Sequence, residues 1–388
     1  MTEFYPFFLA LFAGVFFSML SRRTHIPWVV ALIIGGIILG PNAFNLLTIN
    51  PTIEFIGQIG LIFLMFMAGL ETKFSNFNGF GGKLFLLAFI NGAVPFVIGV
   101  GIGMALGYGL MTSLVLGVVF ISSSIAVVIP SLETHKLLHT QLGQSVIMTT
   151  VIQDVASLIV LSLILQNVSP VTSLPLYLFY PLLLVALISL RFFIPKIRDF
   201  FVQIVDGRPD LFQLEFRSTF LILIGTVMVF ELLGLHPIVA GFFSGLILAG
   251  SIKTPALKEK IRTISYGIFI PTFFIVMGLQ TDITIFSEVS GAWMVVTFVV
   301  LGSVISKFVS GWMAGKMVGF SRDEALLFAI TSIPQLSTTL ATGFAAFALG
   351  LIDQVLLTSL VTLSVITVLV SPLLMNILGE RISRAAGV

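Results

Sequence analysis

Residues 142–166, LGQSVIMTTVIQDVASLIVLSLILQ, form one apolar run with a single carboxylate, Asp154, at its centre. Crossing the hydrocarbon core of a bilayer takes about 20 helical residues, so this stretch reads as a transmembrane helix. A charge at that depth costs at least about 2.5–3.5 kcal/mol on insertion scales and has to be offset. The candidate partner lies on another apolar run, 291–316, where Lys307 sits one turn from the midpoint. Two opposite charges at similar depth on separate helices are best explained if they face one another or share an aqueous cavity. One reading is a fixed buried salt bridge that ties the helices together, although such a pair is often no more stabilising than an apolar one. The other is an ion or proton pathway, the commoner use of ionisable groups inside a membrane.

The rest of the chain has the same character. Of 388 residues, 57% are hydrophobic and 9% charged, with a mean hydropathy of +1.15, whereas about a quarter of a soluble domain is charged. Spans fall at 4–20, 26–40, 53–71, 83–107, 111–130, 142–166, 173–193, 213–234, 236–250, 262–279, 291–316, 322–348 and 353–377. The expectation is an all-α membrane protein of about thirteen transmembrane helices, the second and ninth short. The first apolar run has no basic residue before it and is followed by Arg22 and Arg23. It therefore reads as an uncleaved helix with its N-terminus outside rather than a signal peptide. Alternating from there, the cytoplasmic loops collect 18 of the 19 Lys and Arg residues, Lys307 being the exception. The outer segments carry Glu3, Asp282, Glu288 and Asp353 instead. Missing or adding a helix would scramble this partition. The expected topology is N-out and C-cytoplasmic, multi-pass in the cell inner (plasma) membrane.

The longest cytoplasmic stretch, 191–217, RFFIPKIRDFFVQIVDGRPDLFQLEFR, reads as an amphipathic interfacial linker. It divides the chain into two six-helix halves, and the odd helix between them inverts the second. This predicts a first inverted repeat over 1–172, a linker helix and loop over 173–212, and a second repeat over 213–388. The fifth span of each half is polar and interrupted. One carries Ser122, Ser123 and Ser124 within GVVFISSSIAVVIP (117–130). The other, ITSIPQLSTTLATG (330–343), places Pro334 among Thr331, Ser332, Gln335, Ser337, Thr338 and Thr339. Serine and threonine can simply bond back to their own helix while proline kinks it, and for the three serines alone that reading is as good. Both segments together with Asp154 point to broken helices around an ion site near mid-bilayer.

Other chemistries find little support. There is no cysteine, hence no disulfide and no thiolate site. His135 and His139 are spaced i,i+4 in a polar loop, but no carboxylate or third histidine completes a metal site. The loop reads as solvated, with pH sensing the alternative. The glycines of GVGIGMALG (99–107) suit close helix packing, and no GxGxxG or Walker motif is present. ATP-driven transport, enzymatic chemistry, a cofactor and nucleic-acid binding are therefore not expected. Gln58 and Asn91 read as interhelical hydrogen-bonding residues used in packing.

SSSIAVV (122–128), VIQDVASLIVL (151–161), LGLHPIVAGFFSGLILAGS (233–251) and IFIPTFFIVMGLQTDI (268–283) resemble, in this order, the monovalent cation:proton antiporter-2 family with its NhaA-type fold. Lys307, in SVISKFVSGWMAGKMVGFSRDEALLFAI (303–330), matches that family's basic residue. The resemblance implies a homodimeric, elevator-like antiporter in which a core from spans 4–6 and 11–13 moves against a scaffold from spans 1–3 and 8–10. It implies that Asp154 binds the ion or proton and that Lys307 is its salt-bridge partner. Gln153, Ser122, Ser123 and Ser124 would supply neutral oxygens, as would the second break with Thr331, Ser332, Pro334, Gln335, Ser337 and Thr338. The pair Gln153-Asp154 is similar to potassium-efflux antiporters of the Kef type, which favours K+ over Na+. Where those proteins usually carry Gly-Gly-Glu, this chain has Ile333-Pro334-Gln335-Leu336-Ser337, so no glutamate acts there. Kef-type proteins often add a cytosolic nucleotide-binding domain, which the residues after the last span, 378–388, do not provide. Two other readings are a sodium-coupled organic-anion symporter of related fold, though no core arginine is present to bind an anion, and a membrane sensor or scaffold.

Overall fold

The computed structural model describes residues 4–24, 26–71, 81–138, 140–168, 211–232, 237–249 and 255–386, with isolated positions between 178 and 196. Among these the chain is helical throughout, without a strand. In order the helices are α1 (Phe4–Thr24), α2 (Trp28–Leu39), α3 (Pro51–Glu71), α4 (Gly81–Ala105), α5 (Leu110–Ile121), α6 (Ile125–Thr134), α7 (Gln141–Val168) and α8 (Leu211–Leu232). Then follow α9 (Pro237–Ala249), α10 (Pro255–Ile264), a π-helical turn (Ser265–Phe269), α11 (Ile270–Gln280), α12 (Ile285–Glu288), α13 (Ala292–Met317), α14 (Arg322–Thr331), α15 (Ser337–Ala348) and α16 (Gln354–Ala386). Eight helical segments of the described residues are long and apolar enough to cross a membrane, and α2, α9 and Arg217–Phe230 are shorter apolar helices. Each expected span within the described residues coincides with a helix or a pair of helices; 111–130 is the pair α5–α6 and 322–348 the pair α14–α15. Most of the expected span 173–193 and of the loop that follows it, and His139, lie outside the described residues.

Contacts divide the chain into two compact units. The first comprises Met1–Met19, Leu32–Phe74 and Leu165–Gln280, the second Leu20–Ala31, Ser75–Ile164 and Thr281–Val388. The first unit thus holds α3 and α8–α11, and the second α4–α6, most of α7 and α12–α16. α1 and α2 are divided between the two units, since Leu20–Ala31 belongs to the second.

In the first unit, helices approach through glycine. A Cβ on Gly245 of α9 would lie 2.1 Å from the Phe66 carbonyl of α3, and one on Gly69 would lie 2.1 Å from the Phe242 carbonyl. Because lipid is as apolar as leucine, membrane helices associate by such backbone-to-backbone packing rather than by excluding water. Beside this crossing Phe63 stacks on Phe269 at 4.9 Å. The π turn holding Phe269 directly precedes Pro271, which has no N–H for the Gly267 carbonyl and so disturbs the regular ladder. Gly245→Ala is expected to destabilise the protein by about 1–3 kcal/mol, since the obstructing atom is backbone and cannot rotate away. Gly225→Ala in α8, with nothing within 4 Å of the new methyl, is the control and should be neutral or stabilising. Thermal unfolding in detergent reads both.

In the second unit, both segments expected to be interrupted are split into two helices. Residues 122–124 separate α5 from α6, and residues 332–336 separate α14 from α15. Ser321 caps α14, accepting from the Glu324 N–H at 3.3 Å while the Glu324 carboxylate accepts from the Ser321 N–H at 2.9 Å. This fixes where α14 starts and hence the depth of the break that ends it. α7 and α13 are continuous and bring Asp154 and Lys307 to the breaks.

Candidate functional site

The first break is built by three serines whose hydroxyls compete with the helical ladder. Ser122 and Ser124 are extended, with φ/ψ of −72°/161° and −100°/107°. In the second break Pro334 lacks the N–H a helix needs and pushes Ile333 away from helical dihedrals. The two breaks cross and satisfy one another. The Ser124 N–H donates to the Pro334 carbonyl at 2.7 Å, and the Ser123 hydroxyl to the Ser332 carbonyl at 2.9 Å. Ser122 Oγ and Thr339 Oγ1 are 3.1 Å apart.

Four helix ends therefore meet at one level: the carbonyl ends of α5 and α14, which are partially negative, and the N–H ends of α6 and α15, which are partially positive. The two buried charges stand at ends of the opposite sign. Lys307, 0% exposed, donates to the Ile121 carbonyl at the end of α5. Asp154, 7% exposed, accepts from the hydroxyl of Thr338, the second residue of α15, at 3.2 Å.

Among the described residues no direct ion pair joins Lys307 to Asp154. Among the described residues the Lys307 ammonium bonds neutral oxygens: the carbonyls of Ile121 and Asn91 (3.3 Å to Asn91), Ser123 Oγ at 3.2 Å and Gln153 Oε1 at 3.3 Å. The cause is the local supply of acceptors. The break after α5 frees the Ile121 carbonyl, and Pro95, four residues after Asn91, has no N–H to take that one. Gln153 and Ser123 stand as neighbours of both charges, and the Gln153 amide also donates to the Ala88 carbonyl at 3.4 Å.

The remaining expected residues are brought to the crossing in different roles. Ser124 keeps a buried hydroxyl without a partner among the described residues. Thr331 Oγ1 and Ser332 Oγ bond back to Phe328 and Ala329 of their own helix, at 2.9 and 2.7 Å. Gln335 braces the second break: its amide donates to Ser303 Oγ at 2.7 Å, its Oε1 accepts from Thr339 at 3.1 Å, and its backbone N–H donates to Thr367 Oγ1 at 3.1 Å. Ser337 is the half-buried first residue of α15. Sequence reasoning missed Ser303, Thr367 and Ser310 as site supports, and it assigned Asn91 to packing alone. Pro95 within an otherwise regular apolar span was the available signal for Asn91.

A carboxylate with a hydroxyl neighbour, beside an ammonium held by oxygens, can exchange a proton for a small cation. The sequence profile described as "Sodium/hydrogen exchanger, transmembrane" matches residues 7–378. The chain belongs to this family. The chain is accordingly a multi-pass membrane transporter and not an enzyme; cation and proton are its substrates, and no cofactor is involved. It is 28% identical over 377 residues to "Probable Na(+)/H(+) antiporter 3" of Methanocaldococcus jannaschii, covering 96% of each chain. It is 24% identical to the "Na(+)/H(+) antiporter" of Enterococcus hirae, covering 96% of this chain and 97% of that one. Its fold is that of the sodium proton antiporter MjNhaP1 from Methanocaldococcus jannaschii, with a TM-score of 0.70, 16% identity and 97% of both chains covered.

Proposed function

We propose that this exchanger trades sodium for protons, with Asp154 carrying either one in turn. The observation that carries the reading is the carboxylate at the crossing of two broken helices, accepting from the Thr338 hydroxyl. The same crossing offers Ser122, Ser123 and Gln153 as neutral oxygens to replace a cation's hydration shell. Lys307 holds two of them, so an entering cation displaces the ammonium from its seat. Sodium is taken from the printed activities of the relatives. The potassium preference implied by Gln153-Asp154 has no counterpart in those names, and the ion series below separates the two. Alternating access by elevator-type movement of the unit that carries the site, two inverted repeats, a homodimer and an N-out, C-cytoplasmic topology complete the proposal.

Competition for one carboxylate has a defined sign. As pH falls, protons occupy Asp154 and the apparent KM for the cation rises, by up to about tenfold per pH unit for one proton against one cation. Proteoliposomes with a trapped pH dye, given sodium, potassium or lithium across a pH series, measure this. Exchange with a KM independent of pH would sink the competition mechanism, and a KM lower for potassium than for sodium would reassign the ion.

A further inference from the structure

We infer that the Asn91–Pro95 turn of α4 is a third component of the ion site, in which Pro95 acts as a positioning residue by freeing the Asn91 carbonyl for Lys307. In a regular helix that carbonyl accepts from the N–H four residues on. Here position 95 is proline, so there is no such N–H. An unpaired carbonyl at this depth has neither water nor lipid to satisfy it. It finds the Lys307 ammonium at 3.3 Å.

Two further observations make this turn a built seat rather than a kink. The Asn91 side chain, 0% exposed, accepts through Oδ1 from Ser310 Oγ at 2.9 Å, one turn along α13 from Lys307. Asn91 thus grips α13 at the ammonium and again at Ser310. And Asn91 Nδ2 is buried with no partner among the described residues, a cost that native cores rarely carry without a reason. The pattern Asn91-Gly92-Ala93-Val94-Pro95 therefore sets how firmly Lys307 is held, and through that how readily a cation displaces it.

This rests on the exchange reading above, and Pro95→Ala tests it against a merely structural role. Alanine restores the N–H, so the Asn91 carbonyl returns to its own helix and the ammonium loses one oxygen. The helix itself gains, because proline is the poorest interior residue. The expected result is a melting temperature equal to or above wild type together with an apparent KM for sodium about tenfold lower, the size of one hydrogen bond to a charged group. Asn91→Ala, which keeps the carbonyl but loses the grip on Ser310, should change KM less. An experimental structure of Pro95→Ala reads the contact without any transport assay: the Asn91 carbonyl should bond the restored N–H four residues on and not Lys307. The inference is overturned if wild type exchanges and Pro95→Ala shows the same KM and pH profile. It is overturned equally if the variant's structure still has Lys307 on the Asn91 carbonyl. Absence of exchange by wild type would instead remove the exchange reading, leaving the structure of the variant to decide the seat.

Discussion

Asp154→Asn is expected to abolish cation-coupled proton exchange while leaving the protein folded. Asparagine has nearly the same shape, and its Oδ1 can still accept from Thr338, so the crossing of the breaks need not move. What disappears is the charge. A unit charge about 4 Å away is worth about 4 kcal/mol at the effective dielectric of 20 suited to protein sites, close to a thousandfold in cation affinity. The amide also cannot take and release a proton at any working pH, so the second substrate is lost along with the first. Stability is moved by two opposed effects, because the costly buried carboxylate is gone while the buried Lys307 ammonium loses its counter-charge. The measurement is dye-reported exchange in proteoliposomes alongside thermal unfolding in detergent. Wild-type exchange rates in the variant would show that Asp154 is not the carrier.

Much of this site can be read before any coordinates, because hydropathy reports depth. The run 142–166 centres on Asp154 and the run 291–316 nearly on Lys307, and a charge at mid-span is costly enough to be conspicuous. The breaks are legible for a related reason: three consecutive serines and a central proline each offer the backbone an alternative to the helical ladder. Depth does not report direction. A side-chain pattern pairs Lys307 with Asp154 because that aspartate is the formal anion at its level, whereas the ammonium finds backbone carbonyls instead. Carbonyls are silent in a side-chain pattern. Only the prolines and breaks reveal which of them are free, and Pro95 reads by hydropathy as an ordinary residue of the span 83–107. Likewise 322–348 reads by hydropathy as one helix, whereas α14 and α15 are each too short to cross alone. Their polar break is stabilised by Ser123 and Ser124, which supply donors to Ser332 and Pro334 from the other half of the chain, and by the bonds of Gln335 to Ser303, Thr339 and Thr367.

Lys307→Ala is expected to cost about 3–5 kcal/mol of stability, the range for removing one partner from a buried charged network. The loss has two sources, and they can be separated. One is the attraction between Lys307 and Asp154; the other is the set of oxygens left without a donor, namely the Asn91 and Ile121 carbonyls, Ser123 Oγ and Gln153 Oε1. If the pair met directly, removing both charges would restore most of the stability, since neither would be left alone. With the ammonium solvated by neutral oxygens, Asp154→Asn cannot repair those acceptors. The double variant should then stay well below wild type, recovering only the part due to the unbalanced carboxylate. A double-mutant cycle on thermal or denaturant unfolding measures that coupling directly. Recovery to near wild-type stability would mean that the pair is a salt bridge in the folded protein and that the oxygen seat is incidental. A persistent deficit would mean that Lys307 belongs first to the crossing of the helices. A cation taking over those oxygens would then substitute for the ammonium, and the carboxylate would choose between cation and proton.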